Sequence, residues 1–285
     1  MPILGSLGGG SGKGFGITAG GPKYMVASGG TISEVGDYKI HTFTSPGTFT
    51  VEKAPDPALA VVDYVVIAGN GGTAPSTRGT AAGGFRESVP APAAWTASPI
   101  ANPGGSLPVS VQGYSITVGA TATPQPSQNT QGNPGNPSTF SNITSAGGGG
   151  SGVGHYTQPV KGAPGLPGGC GGAAGGYPPG NTPGTGGTGN QPPTSPPQGQ
   201  PGQGTASGWG GGAVSQYNGA GTAFFEGIAD IGVPGSGTPG TPNLRYFSGG
   251  SGQGGSGDGS SPSGDNVNYG GPGKQGLVAI KYRFK

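Results

Sequence analysis

Side chains able to do acid–base or nucleophilic chemistry are sparse in this chain and poorly grouped. Its histidines, His41 and His155, have no carboxylate or serine companion at a spacing that would build a triad. Between Glu87 and Glu226 there is no Asp or Glu, and Lys161 is the only Lys or Arg from Ser88 to Phe225. General acid–base catalysis needs positioned groups with tuned proton affinities, and the larger part of the chain offers none. The expectation is a non-enzyme with no catalytic residue, no cofactor and no metal. Lys13 in GSGKGFG resembles a phosphate loop, but the glycine required five residues before Gly12 is Leu7, and Gly14 stands where Ser or Thr is needed. GGSGDG around Asp258 occurs once and has the wrong spacing for a calcium-binding glycine repeat. The single cysteine, Cys170, excludes an internal disulfide and a paired-thiolate zinc site, and in PGGCGG it reads as a small side chain tolerated at a bundle surface. Asn142-Ile143-Thr144 is a glycosylation sequon only in a secreted eukaryotic chain.

The remaining chemistry is contact. Tyr156, Tyr177, Trp209, Tyr217, Phe224, Phe225, Tyr246, Phe247 and Tyr269 are interspersed through a Gly/Pro-rich background. Aromatic rings on rigid Gly/Ser/Asn loops give large contact area at low entropic cost, against sugars and protein loops alike. The tips holding Tyr217 with Phe224 and Phe225, and Tyr246 with Phe247, are the expected receptor contacts, with Trp209 and Tyr177 beside them. The competing reading is that these rings cap glycine-rich helices.

The elements that must position them are unusual. Of 285 residues, 70 are Gly and 31 Pro, only 30% are hydrophobic and 8% charged, so the chain supports one small apolar core. A net charge of +2 with no basic patch makes nucleic acid an unexpected partner. The longest apolar run, 59–68, is broken by Asp63 and has about half the length a bilayer requires, so no membrane insertion is expected. The N-terminus lacks the charged and apolar regions of a signal peptide, which implies synthesis in the cytoplasm. Residues 1–27 read as an arm, with Ile3, Leu4, Leu7, Phe15 and Ile17 as spaced apolar anchors for a partner chain.

From 28 to 146 the pattern is a β-rich platform. DYKIHTFT and TFTVE read as a hairpin across Ser45-Pro46-Gly47, AVVDYVVIA as the central buried strand, and GFRESV as a short strand. PVSV and YSITVG read as a second hairpin, and STFSNITS as a strand pair. GLVAIKYRF closes the platform over 276–285, with Leu277, Ala279, Lys281 and Arg283 on one face and Val278, Ile280, Tyr282 and Phe284 on the other. No segment has helical periodicity.

Between them, 147–275 is too poor in apolar residues to fill a core. Its glycines nevertheless fall at every third position: Gly162, Gly165, Gly168 and Gly171; Gly249, Gly252 and Gly255; Gly270, Gly273 and Gly276. Three residues make one turn of a polyproline II-type helix, which rises about 3.1 Å per residue and makes no internal hydrogen bonds. Rows of glycine let such helices approach until their backbones pair with one another. The expected fold is therefore all-β, a small antiparallel platform plus a polyglycine II-type bundle, with Pro, Ser, Thr and Gln on the outer rows and no significant α-helix.

In this order, YKIHTFTSPGTFTV, YVVIAGNGG, GGFRES, YSITVGA, GNPSTFSNITSAGGGG and the terminal GLVAIKYRF resemble the glycine-rich domain of bacteriophage tail fibres, tail-tip proteins and other virion structural proteins, over residues 29–285. The start MPILGSLGGGSGKGFG is similar to starts of marine phage tail proteins. The resemblance implies a virion location in a tail or fibre, adhesin-like host recognition through a polysaccharide or outer-membrane protein receptor, and attachment to other virion proteins through the N-terminal arm. By analogy with fibres it also implies a homotrimer. A head or neck decoration protein and a polysaccharide-degrading tail spike are the alternatives.

Overall fold

The computed structural model describes residues 23–74, 79–125, 130–153, 162–175, 184–204, 220–226, 238–239, 244–249 and 275–285. In chain order the strands are β1 (Val26–Ser28), β2 (Thr31–Val35), β3 (Tyr38–Phe43), β4 (Gly47–Lys53), β5 (Val61–Ile67), β6 (Phe85–Val89), β7 (Asn102–Pro103) and β8 (Leu107–Pro108). They continue with β9 (Gly113–Thr117), β10 (Ser138–Phe140), β11 (Ile143–Ser145), β12 (Ala220–Thr222), β13 (Thr238–Pro239), β14 (Arg245–Phe247) and β15 (Leu277–Arg283). Among the described residues there is no α-helix. One 3-10 turn, Pro57–Leu59, is capped by Asp56, whose side chain accepts from Ala58 N at 2.9 Å. The fold is all-β.

β5 and β15 are apolar on both faces, and the sheet they form is covered on both faces. It runs β2-β3-β15-β5-β6-β7, with β8 also paired to β5. Val278, Ile280 and Tyr282 face a core shared with Phe49, Val51, Ile116 and Phe140 of a second sheet, β1-β4-β9-β10-β11. Leu277 and Ala279 face a separate core with Phe85, Phe224, Phe225 and Phe247, roofed by the small sheet β12-β14-β13. The two faces read from GLVAIKYRF are thus the two faces observed. Each fully buried Phe contributes on the order of 2–3 kcal/mol by leaving water.

Two expected hairpins are corrected. β3 pairs with β2 and β15, whereas β4 pairs with β1 and β9 in the other sheet, so Thr44, Ser45 and Pro46 carry the chain between layers. Both strands present a buried face, and facing layers satisfy both where a flat hairpin would leave one wet. The crossing from β1 to β2 uses Gly29 and Gly30, at φ +106° and +63°; a Cβ on Gly29 would lie 2.1 Å from Thr48 O. Likewise β8 pairs with β5, while β9 pairs with β4 and β10, so PVSV and YSITVG are no hairpin. STFSNITS does form one, β10 to β11, turning at Ser141 with φ +52°.

Beyond the strand ends the chain runs as extended segments, 68–74, 79–84, 119–125, 130–136, 146–153, 162–168, 169–175, 184–189 and 198–204, none of them helix or strand. Their backbones bond one another. Gly148 N and Ser151 N donate to Gly69 O and Gly72 O at 2.9 and 3.1 Å, and Gly149 N and Gly152 N to Cys170 O and Ala173 O at 2.9 and 2.7 Å. Gly165 N and Gly168 N donate to Thr185 O and Thr188 O, and Gly171 N and Ala174 N to Gln200 O and Gln203 O. Donors and acceptors both advance by three, the repeat of the polyproline II turn, so each row of a segment serves a different neighbour. The lattice also takes in segments that precede Gly147.

Segment 146–153 is the hub, bonded to 68–74, 130–136, 162–168 and 169–175. At its glycine positions there is no room for a side chain: a Cβ on Gly149 would lie 2.0 Å from Leu166 O, and one on Gly150 would lie 1.8 Å from Gly132 O. Proline marks the periphery. Pro124, Pro134, Pro164, Pro167 and Pro201 are all exposed, while 68–74, 146–153 and 169–175 contain none. An outward row has no lattice acceptor to meet, so a residue without an N–H costs nothing there.

Candidate functional site

The lattice and the sandwich give the molecule two ends. At the base, Val26 pairs with Lys53 and the Arg283 guanidinium lies 5.6 Å from the centre of the Tyr24 ring, so the described chain both begins and finishes there. At the apex, the registers Gln125–Thr73, Gly132–Ser151, Gly152–Ala173, Gly175–Ala163 and Ala174–Gln203 lie together. The described segments 68–74, 119–125, 146–153, 169–175 and 198–204 each finish at this end.

The expected contact residues divide three ways. Phe224, Phe225 and Phe247 are fully buried, a correction to their expected display: the Phe225 ring packs at a tilt against Phe247 at 5.2 Å and Phe224 at 5.1 Å between centroids, and Phe85 closes on Phe247 at 6.2 Å. Three adjacent large rings in a chain this poor in apolar residues gain more from the core than from water. Tyr246 lies in β14, its backbone paired with Gly221 on one side and Thr238 on the other. Tyr177, Trp209 and Tyr217, and the arm residues Ile3, Leu4, Leu7, Phe15 and Ile17, lie outside the described residues.

What sequence reasoning missed is a polar cluster on the Phe224 side of the seven-stranded sheet. β15 sets Lys281 directly opposite Asp63 on β5, and β6 sets Glu87 opposite Val65, so the three side chains share one face. All are buried. The Lys281 Nζ donates to Phe224 O at 2.9 Å beneath the Trp95 ring, 4.0 Å from its centre, with the Phe224 and Tyr38 rings each at 5.2 Å. Asp63 Oδ1 accepts from the hydroxyls of Ser88 and Ser106, both at 2.8 Å. Glu87 accepts from Ser98 N at 2.8 Å and from the Thr222 hydroxyl.

Burial dominates the electrostatics of the cluster. It pulls the Lys281 ammonium down to about 8, with the charges of Asp63, Glu226 and Glu87 opposing. It pushes the Asp63 carboxyl up against the Ser88 and Ser106 hydrogen bonds, and the Glu87 carboxyl up against those from Ser98 and Thr222. The signal was present in the sequence: Asp63 interrupts the most apolar run, and Lys281 falls on the same face as Leu277 and Ala279.

This cluster also holds the supposed contact tip down. Lys281 binds Phe224 O, Glu87 binds Thr222, and Ala223 N donates to Thr96 O at 2.8 Å. Elsewhere, Cys170 is buried against Ala81 and Ala82, its thiol pushed up to about 12 by burial, which makes it a packing group. A family profile described as a glycine-rich domain matches residues 42–283. No curated protein and no solved structure matches the chain.

Proposed function

This chain belongs to the glycine-rich domain family, and on that premise we propose that it is a non-enzymatic structural protein of a bacteriophage tail or fibre that contributes to host-surface recognition. The observation that carries the reading is polarity. The described residues begin at the base, and the arm that precedes them in sequence, bearing Ile3, Leu4, Leu7, Phe15 and Ile17, would engage other virion proteins. Five described segments of the backbone-bonded lattice finish together at the opposite end. In the sequence, Tyr177 follows one of these segments, and Trp209 and Tyr217 follow another. A lattice fixed by its own backbone supports sequence change in the segments it carries, which suits recognition of a polysaccharide or an outer-membrane protein.

The test is binding of the purified full chain to a panel of bacterial cells, compared with a variant whose residues 176–183 and 205–219 are replaced by Gly/Ser of equal length. The core-forming segments 220–226 and 244–249 are left intact. The expected result is cell binding by the wild type and its loss in the variant, with the thermal transition unchanged. Equal binding by both removes these segments from recognition, and binding by neither across the panel removes recognition itself. Reducing sugar released from cell envelopes by the wild type would favour a degrading spike, and none is expected.

A further inference from the structure

The buried cluster on the seven-stranded sheet is unexplained by recognition. Lys281, Asp63 and Glu87 are withdrawn from water, yet the ion pairs among the described residues are Lys39–Glu34 and Arg283–Asp37, at the surface. Burying ionisable groups without direct pairing costs several kcal/mol for each ion. An arrangement that removes the charges altogether would remove that cost.

We propose that Lys281 and Asp63 join in an intramolecular amide, cross-linking β15 to β5. The neutral Lys281 amine attacks Cγ of the protonated Asp63 carboxyl, forming the C–N bond. The C–Oδ2 bond then breaks, and the departing hydroxyl takes a proton and leaves as water. Glu87, on the neighbouring strand, carries that proton from the attacking nitrogen to the leaving oxygen. One amine and one carboxylic acid become one amide and one water, so no oxidant or co-reactant is needed.

Each partner already has the support that such a product requires. Residues directly opposite in an antiparallel pair hold their Cβ atoms about 5 Å apart, within reach of a lysine side chain. The Ser88 and Ser106 hydroxyls, both on Oδ1, would polarise the carbonyl, stabilise the oxyanion during attack and then remain on the amide oxygen. The Phe224 carbonyl that accepts from Nζ would accept equally from the amide N–H. Trp95, Phe224 and Tyr38 cover the amine and keep water from the bond. Burial acts on the proton affinities in the required direction at every group, lowering that of the amine and raising those of both carboxyls.

The test is the intact mass of the purified full chain, followed by peptide mapping. The expected result is a mass one water below that of the sequence, with the peptide bearing Asp63 covalently attached to the peptide bearing Lys281. Lys281→Arg and Asp63→Ala should each restore the full mass. Glu87→Gln should leave most molecules unlinked. A wild-type mass equal to that of the sequence overturns the proposal, as does a missing water mapped to any other pair of residues. Because the readout is covalent, a variant that folds poorly still reports its mass, and the wild type alone decides the question.

Discussion

At the scale of residues, the buried polar groups set the behaviour with pH. His41 is fully buried, its Nδ1 lies 2.7 Å from Gly29 O, and its ring stacks on Tyr282 at 5.5 Å. Burial lowers its proton affinity below the ordinary imidazole value, against the Gly29 bond and with the Lys39 charge assisting. The unfolded chain then takes up a proton before the folded one. Stability should therefore fall as pH drops through the ordinary imidazole value and continue to fall to the lowered one, by at most about 1.4 kcal/mol per pH unit. Denaturant melts at several pH values would show this slope in the wild type and a flatter one in His41→Gln. Phe247→Ala should cost about 3–5 kcal/mol in the same melts, the loss for a ring in a closed core. The sequence gives no warning of that role, because a Phe among glycines reads the same whether displayed or buried. Burial was decided by partners far along the chain, Phe85 and Phe225 among them.

At the scale of elements, local periodicity and long-range pairing were legible to different degrees. A β-branched run identified β5, short strand-like stretches β6 and the β10–β11 pair, and alternation β15, since a period of two reveals which side chains share a face. It could not say which sheet a strand joins, and so Thr44-Ser45-Pro46 read as a hairpin turn although it crosses between layers. The triplet glycines were more informative. Gly165, Gly168 and Gly171 donate along the lattice, and the proline-bearing segments are those at the periphery. Gly149→Ala should therefore be disruptive by more than about 4 kcal/mol, because a methyl group 2.0 Å from a carbonyl oxygen requires two segments to part. Pro167→Ala, on an exposed row, should change stability by no more than about 0.5 kcal/mol. Thermal unfolding of the pair measures the contrast between hub and rim.

At the scale of the whole molecule, the last strand is placed at the centre. β15 lies between β3 and β5 and contributes to both cores. Removal of residues 276–285 should abolish folding throughout, including the lattice. Hydrogen exchange would report it: amides of 146–153 protected in the full chain and unprotected in the truncated one. The threefold repeat has a further consequence, for how such a gene can change in length. Adding or removing three residues within a segment lengthens or shortens it by one turn and returns every row to its neighbour. A change of one or two residues rotates the remainder by a third or two thirds of a turn, driving prolines inward and glycine rows outward. Length variation within the bundle should therefore accumulate in steps of nine nucleotides, about one helical turn.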